Sequence, residues 1–118
     1  MKIEISIAPY PEMRYETAGD WQFRGDDLHI MVADLGDWRM ECCVAFHEMA
    51  EALICRWQGI TEETVDEFDF AFTGDGEPGD DPACPYRTAH RIASALEFAL
   101  ALALDLDWKV YEERIESL

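Results

Sequence analysis

The chain has 118 residues, 49% of them hydrophobic and 12% aromatic. That is enough for a single domain, 1–118, with one modest core, and too apolar for a disordered segment. Nine basic residues face 26 acidic ones, a formal net charge of -17, so the surface repels phosphate: direct binding to nucleic acid or to an anionic membrane is disfavoured, and a cation or a basic partner protein is favoured. No charged-then-apolar start with a small-residue cleavage site is visible. The longest apolar run, Ala95 to Leu104, contains Glu97 and is too short to cross a bilayer.

Lys2 to Ile7 alternates apolar and polar, with Ile3, Ile5 and Ile7 on one side, the pattern of a half-buried strand that Pro9 and Pro11 end. Trp21 to Arg24 and Leu28 to Ala33 flank Gly25-Asp26-Asp27 and read as a hairpin. Trp21, Phe23, Leu28, Ile30 and Val32 share its core face, and His29 and Met31 point away. Asp37 can cap a helix running from about Trp38 to Trp57, with Gly59 as its stop. A short helix begins near Thr61, favoured by Glu62 and Glu63 in its first turn, and turns Val65 and Phe68 inward. Glycines and prolines mark Thr73 to Pro85 as loop. A long helix then covers Tyr86 to Leu104, and Asp107 caps a last one through Ile115. The expected fold is α+β, a small antiparallel sheet of about three strands packed against three to four helices.

The chemistry concentrates in His47-Glu48-Met49-Ala50-Glu51. A histidine and a carboxylate four residues apart on a helix point the same way, one turn above the other, which is what a metal ion needs from a single helix. The segment departs from the H-E-x-x-H metalloprotease motif only in its last residue. At about 100° per residue, His47 and Glu51 fall on or beside the apolar stripe that holds Cys43, Val44 and Ile54, whereas Glu41, Ala45, Ala52 and Arg56 fall toward solvent. A carboxylate on that stripe costs desolvation unless it is paired or metal-bound. The bland alternative is a hydrogen-bonded core histidine beside a glutamate that reaches water. Glu48, about 100° round from His47, reaches the rim of the same region.

The second long helix offers a third ligand in His90, with Ser94 and Glu97 on the same face at spacings of four and seven. The competing reading puts His90 with Arg87 and Arg91 in a solvated first turn. His47, Glu51 and His90 would close three positions of a divalent transition-metal site, with zinc first and iron or manganese also suited, and a water in the fourth. Glu62 to Asp81 holds nine carboxylates and no basic residue. It lacks the spacing of a calcium hand and reads as a solvated acidic stretch, although Asp80 or Asp81 could join the site, because the loop leads into the His90 helix.

Cys42, Cys43, Cys55 and Cys84 show no C-x-x-C spacing and read as reduced thiols of a cytosolic protein. Cys43 and Cys55 flank the His47 face at steps of four but lie about 18 Å apart along the helix, too far to share an ion. Core packing is their expected role, with Cys43 beside His47 the one exception open to ligation. No nucleophile elbow and no phosphate-cradling glycine loop is present.

Several of these segments together resemble a group of small bacteriophage and prophage proteins. They are G-D-W from Gly19, D-L-G-D-W-R from Asp34, F-H-E-M-A-E-A-L-I-C-R from Phe46, G-I-T-E-E-T-V-D-E-F-D from Gly59 and E-P-G-D-D-P-A-C-P-Y-R-T-A-H from Glu77. The resemblance covers most of the chain from about residue 13 onward. It implies that His47, Glu48, Glu51, the Gly79-Asp80-Asp81-Pro82 loop and His90 belong to one motif set in a protein of the bacterial host's cytoplasm, and it implies no activity.

Two expectations follow. In one, the ion acidifies a bound water and Glu48 takes its proton, a metal-dependent hydrolysis that a second carboxylate ligand, Glu51, would weaken. In the other, the protein is a non-catalytic acidic binder that mimics nucleic acid toward a basic host protein.

Overall fold

The computed structural model describes all 118 residues. Strands β1 (Ile3–Ala8), β2 (Gly19–Arg24) and β3 (Asp27–Ala33) form one sheet in the order β1-β3-β2. Four helices follow: α1 (Trp38–Gln58), α2 (Glu62–Ala71), α3 (Arg87–Ala103) and α4 (Trp108–Glu116). Single-turn 3-10 helices at Tyr10–Glu12 and Pro78–Asp80 carry the two long connections. The class is α+β, as expected.

The sheet is mixed and not antiparallel throughout. β2 and β3 form the expected hairpin, but β1 pairs with β3 in parallel, Ile3 against Leu28 through Ala8 against Ala33. The physical reason lies in the connection after β1. It turns the chain over at the end where β1 stops, and β2 starts there at the far edge, so β2 runs back and β3 returns alongside β1. Trp21 opposite Ile30 and Phe23 opposite Leu28 put these side chains on one face, as the alternation predicts. Leu28, Ile30 and Val32 are almost wholly buried, each contributing on the order of 1.5–3 kcal/mol of transfer free energy. Ile3, Ile5 and Ile7 share that face by register but stay 42–50% exposed. α1 lies across β2 and β3 and leaves the β1 edge uncovered.

α1 is capped by Asp37, whose Oδ1 accepts from the Arg39 amide, and it ends at Gly59 in the left-handed region. Ala45 and Ala52, assigned to the solvent side by the helical wheel, are buried members of the core. α1 packs against the sheet on one side and against α3 on another, so it is the central helix and has little solvent face. Small alanines let a neighbouring element approach closely where a larger side chain would hold it off. Thr61 caps α2 and Asp107 caps α4. Val65 is buried and Phe68 packs half-buried against the core. No helix is long and apolar enough to cross a membrane. All four cysteines are free. Cys43 and Cys55 are fully buried core residues, and burial pushes their thiols up to about 11 and about 12.

Candidate metal centre

The crossing of α1 and α3 brings three side chains to one point. His47 and Glu51 come from the middle of α1 and His90 from the first turn of α3, all 5–7% exposed. The solvated-first-turn reading of His90 therefore fails. Glu51 Oε2 lies 3.2 Å from Nε2 of His47 and 3.1 Å from Nδ1 of His90. One ligand atom from each residue lies within 4.8 Å of the other two, a grouping that could hold a metal ion. Ligands at tetrahedral angles round a zinc-sized ion stand about 3.3 Å apart, so these spacings need only small adjustment.

The cluster is held from outside by residues distant in the chain. Trp21 Nε1 on β2 donates to Glu51 Oε1 at 3.1 Å. Nδ1 of His47 meets Glu97 Oε1 at 2.8 Å, and Glu97 Oε2 accepts from the Tyr111 hydroxyl of α4 at 2.6 Å. A histidine whose outer nitrogen is fixed by a carboxylate presents its inner nitrogen in a set direction, the arrangement that orients metal-ligating imidazoles. Glu97 thus sits behind His47, one step outside the ligand cluster. Neither Trp21 nor Tyr111 was marked by sequence, because each reads as an ordinary core aromatic until its partner is known.

Electrostatics of the group are tightly linked. Burial draws the His47 imidazolium down, but hydrogen bonds to Glu51 and Glu97 outweigh it and hold the pKa up at about 11. His90 is likewise opposed by burial and raised to about 9 by Glu51 and Glu77. Burial pushes the Glu51 carboxyl up, yet the two histidines and Trp21 bring it below its ordinary value. Without an ion the cluster is therefore a buried pair of imidazoliums compensated by carboxylates. Glu48 is different: burial first, then the neighbouring Glu51, raises it well above the usual carboxylate range.

Glu48, His47, Glu51 and His90 line one cavity of about 540 Å³. Gly19 makes room for Glu48, since a Cβ there would stand 2.7 Å from Glu48 Cγ and 2.6 Å from Val44 Cγ1. Its neighbour Asp20, buried, is gripped by Arg14 at 2.6 and 2.8 Å, and Arg14 also reaches Asp66. Gly19, Asp20 and Trp21 thus each serve the cavity wall. On the opposite wall Asp69 accepts hydrogen bonds from Tyr15 and Tyr86.

The loop before α3 closes over His90. Gly79 lies against the imidazole so tightly that a Cβ would stand 2.3 Å from its Cγ. Glu77 and Asp80 approach the outer nitrogen, Nε2, at 3.2 and 3.3 Å. Asp80 is thus beside the site and Asp81 is not, because the Asp81 carboxylate accepts from the Ala83 amide at 2.8 Å. Cys43 lies outside the ligand group.

Fold and site together define a small α+β domain with a buried His/Glu/His group between two helices. No family model, curated protein or solved structure matches the chain.

Proposed function

We propose that this chain is a small metal-binding protein of phage type, in which His47, Glu51 and His90 hold a divalent transition ion, zinc before iron or manganese. The observation that carries the reading is the single oxygen, Glu51 Oε2, onto which one nitrogen of each buried histidine converges. Two imidazoles and a carboxylate are a borderline donor set that suits zinc. Glu97 behind His47 supports it further, because it fixes the nitrogen that faces inward.

If the protein is an enzyme, its reaction is metal-assisted hydrolysis, with Glu48 taking a proton from water acidified by the ion. Burial and the neighbouring Glu51 raise its pKa, so Glu48 holds a proton it has accepted more tightly than an ordinary carboxylate does. A non-catalytic reading rests on a different feature. Glu63, Glu67 and Asp75 are exposed on the acidic stretch and present charge to a basic partner. Asp66 and Asp69 are bonded within the fold and contribute less to such a face. Reversing the charge of Glu63, Glu67 and Asp75 would abolish partner binding and leave metal content unchanged.

Metal content by inductively coupled plasma mass spectrometry, on untagged protein purified without chelator, tests the leading reading. About one transition ion per chain is expected, lost in both His47→Ala and the near-isosteric Glu51→Gln. No ion in the wild-type protein, even after reconstitution with zinc, iron or manganese, would overturn it.

A further inference from the structure

The outer nitrogen of His90 is an anomaly. Nε2 is buried and makes no hydrogen bond, in a side chain only 6% exposed. A buried imidazole nitrogen without a partner carries a desolvation cost that native structures seldom leave standing. Two carboxylate oxygens nevertheless crowd it, Glu77 Oε2 at 3.2 Å and Asp80 Oδ1 at 3.3 Å. Neither lies where a ring N–H points well enough to donate. In the ion-free protein the charged ring faces these two oxygens as an ion pair. A divalent cation seated among the three atoms gives the deprotonated Nε2 the direct partner it lacks and keeps both carboxylates compensated.

The backbone holds this arrangement in place. The turn Pro78–Asp80 is closed by the Asp80 amide on the Glu77 carbonyl and the Asp81 amide on the Pro78 carbonyl, each at 3.1 Å. Gly79 presses on the ring from between the two acids. Both carboxylates are otherwise largely in solvent, 61% and 67% exposed, at the edge of the cavity. No basic residue lies between Arg56 and Arg87 to neutralise them locally.

We infer that Glu77, Asp80 and Nε2 of His90 form an outer divalent-cation position, distinct from the inner group and joined to it through the His90 ring. The three donor atoms meet the same mutual spacing as the inner group. Two carboxylates and one imidazole, open to water, suit a manganese- or zinc-class ion that keeps several waters. With both positions filled, His90 carries one ion on each nitrogen as an imidazolate, both ring protons having passed to solvent. The outer position shares His90 with the proposed inner site but has its own carboxylates, so the two can be separated.

The test is manganese binding, read from the loss of the free aqueous manganese electron paramagnetic resonance signal. The proteins are the wild type, Glu51→Gln, and the double variant Glu77→Gln/Asp80→Asn, whose side chains are exposed enough to leave the fold intact. The wild type is expected to bind about two ions, the double variant to lose one and keep the other within about twofold, and Glu51→Gln to keep the outer one. If only the inner reading is wrong, the wild type and Glu51→Gln bind one ion each and the double variant none. The outer position is overturned if the double variant binds like the wild type. It is also overturned if a single ion is weakened by both sets of substitutions, because Glu77 and Asp80 would then only orient His90, or if the wild type binds no manganese.

Discussion

Nδ1 of His47 lies 2.8 Å from Oε1 of Glu97, fifty positions further along the chain. This contact ties α1 to α3 and decides which nitrogen of His47 faces Glu51. Replacing the carboxylate should loosen that orientation without removing a ligand. Glu97→Gln is expected to weaken zinc binding by about 10–100-fold, the usual cost of losing a carboxylate behind a ligating histidine. Competition against a chromophoric chelator measures it. An unchanged affinity would leave Glu97 a structural partner of Tyr111 alone.

The charge state of the ion-free cluster sets a pH dependence. The His47 pKa is raised from 6.5 to about 11, so its contribution to stability is complete below 6.5 and is lost as pH climbs through 11. His90, raised to about 9, behaves in the same direction. Glu51 is lowered from 4.5, so its contribution is present above 4.5 and is lost as pH falls further. Glu48, raised, adds a penalty that grows above 4.5. Chelator-treated protein should therefore be more resistant to urea at about pH 5.5 than at about pH 9 or pH 3. A steady rise in stability from pH 5.5 to 9 would contradict the assignment. Zinc must also displace protons from both histidines, so calorimetry in buffers of different ionisation enthalpy should register about two protons released per inner ion at neutral pH.

Glu48 is expected to cost the ion-free fold stability. Its ionised form is opposed by burial and by Glu51. Glu48→Gln should raise ion-free stability at neutral pH, by about 1 kcal/mol, while abolishing any hydrolytic activity and leaving metal content unchanged. Denaturant melts together with a hydrolase screen separate this from a purely structural role, in which the substitution would not be stabilising.

Gly79 is the least conspicuous residue of the site. Its α-carbon faces the His90 ring with no room for a methyl group. Gly79→Ala should force the Pro78–Asp80 turn off the ring at a cost of about 1–3 kcal/mol. It should also weaken binding at both histidine nitrogens, since the ring loses its clamp. Gly76→Ala, in the same loop but with open space around it and a positive φ of 81°, would strain the turn without touching His90. It therefore serves as the control: stability should fall, by about 1 kcal/mol, and metal affinity should not.

The helix borders, their caps at Asp37, Thr61 and Asp107, the hairpin and the pair His47/Glu51 were legible in the sequence, because each depends on interactions within a few residues. The periodicity also gave the face of α3 that carries His90 and Glu97. What lay beyond it was every fact that needs two distant segments. Parallel pairing of β1 depends on where the connection crosses. Burial of Ala45 and Ala52 depends on a second layer over α1, and exposure of Ile3, Ile5 and Ile7 on which strands that helix covers. Trp21 and Tyr111 look like core aromatics until Glu51 and Glu97 are seen at their polar ends. A local pattern records which way a side chain points, and only the packed chain decides what it meets there.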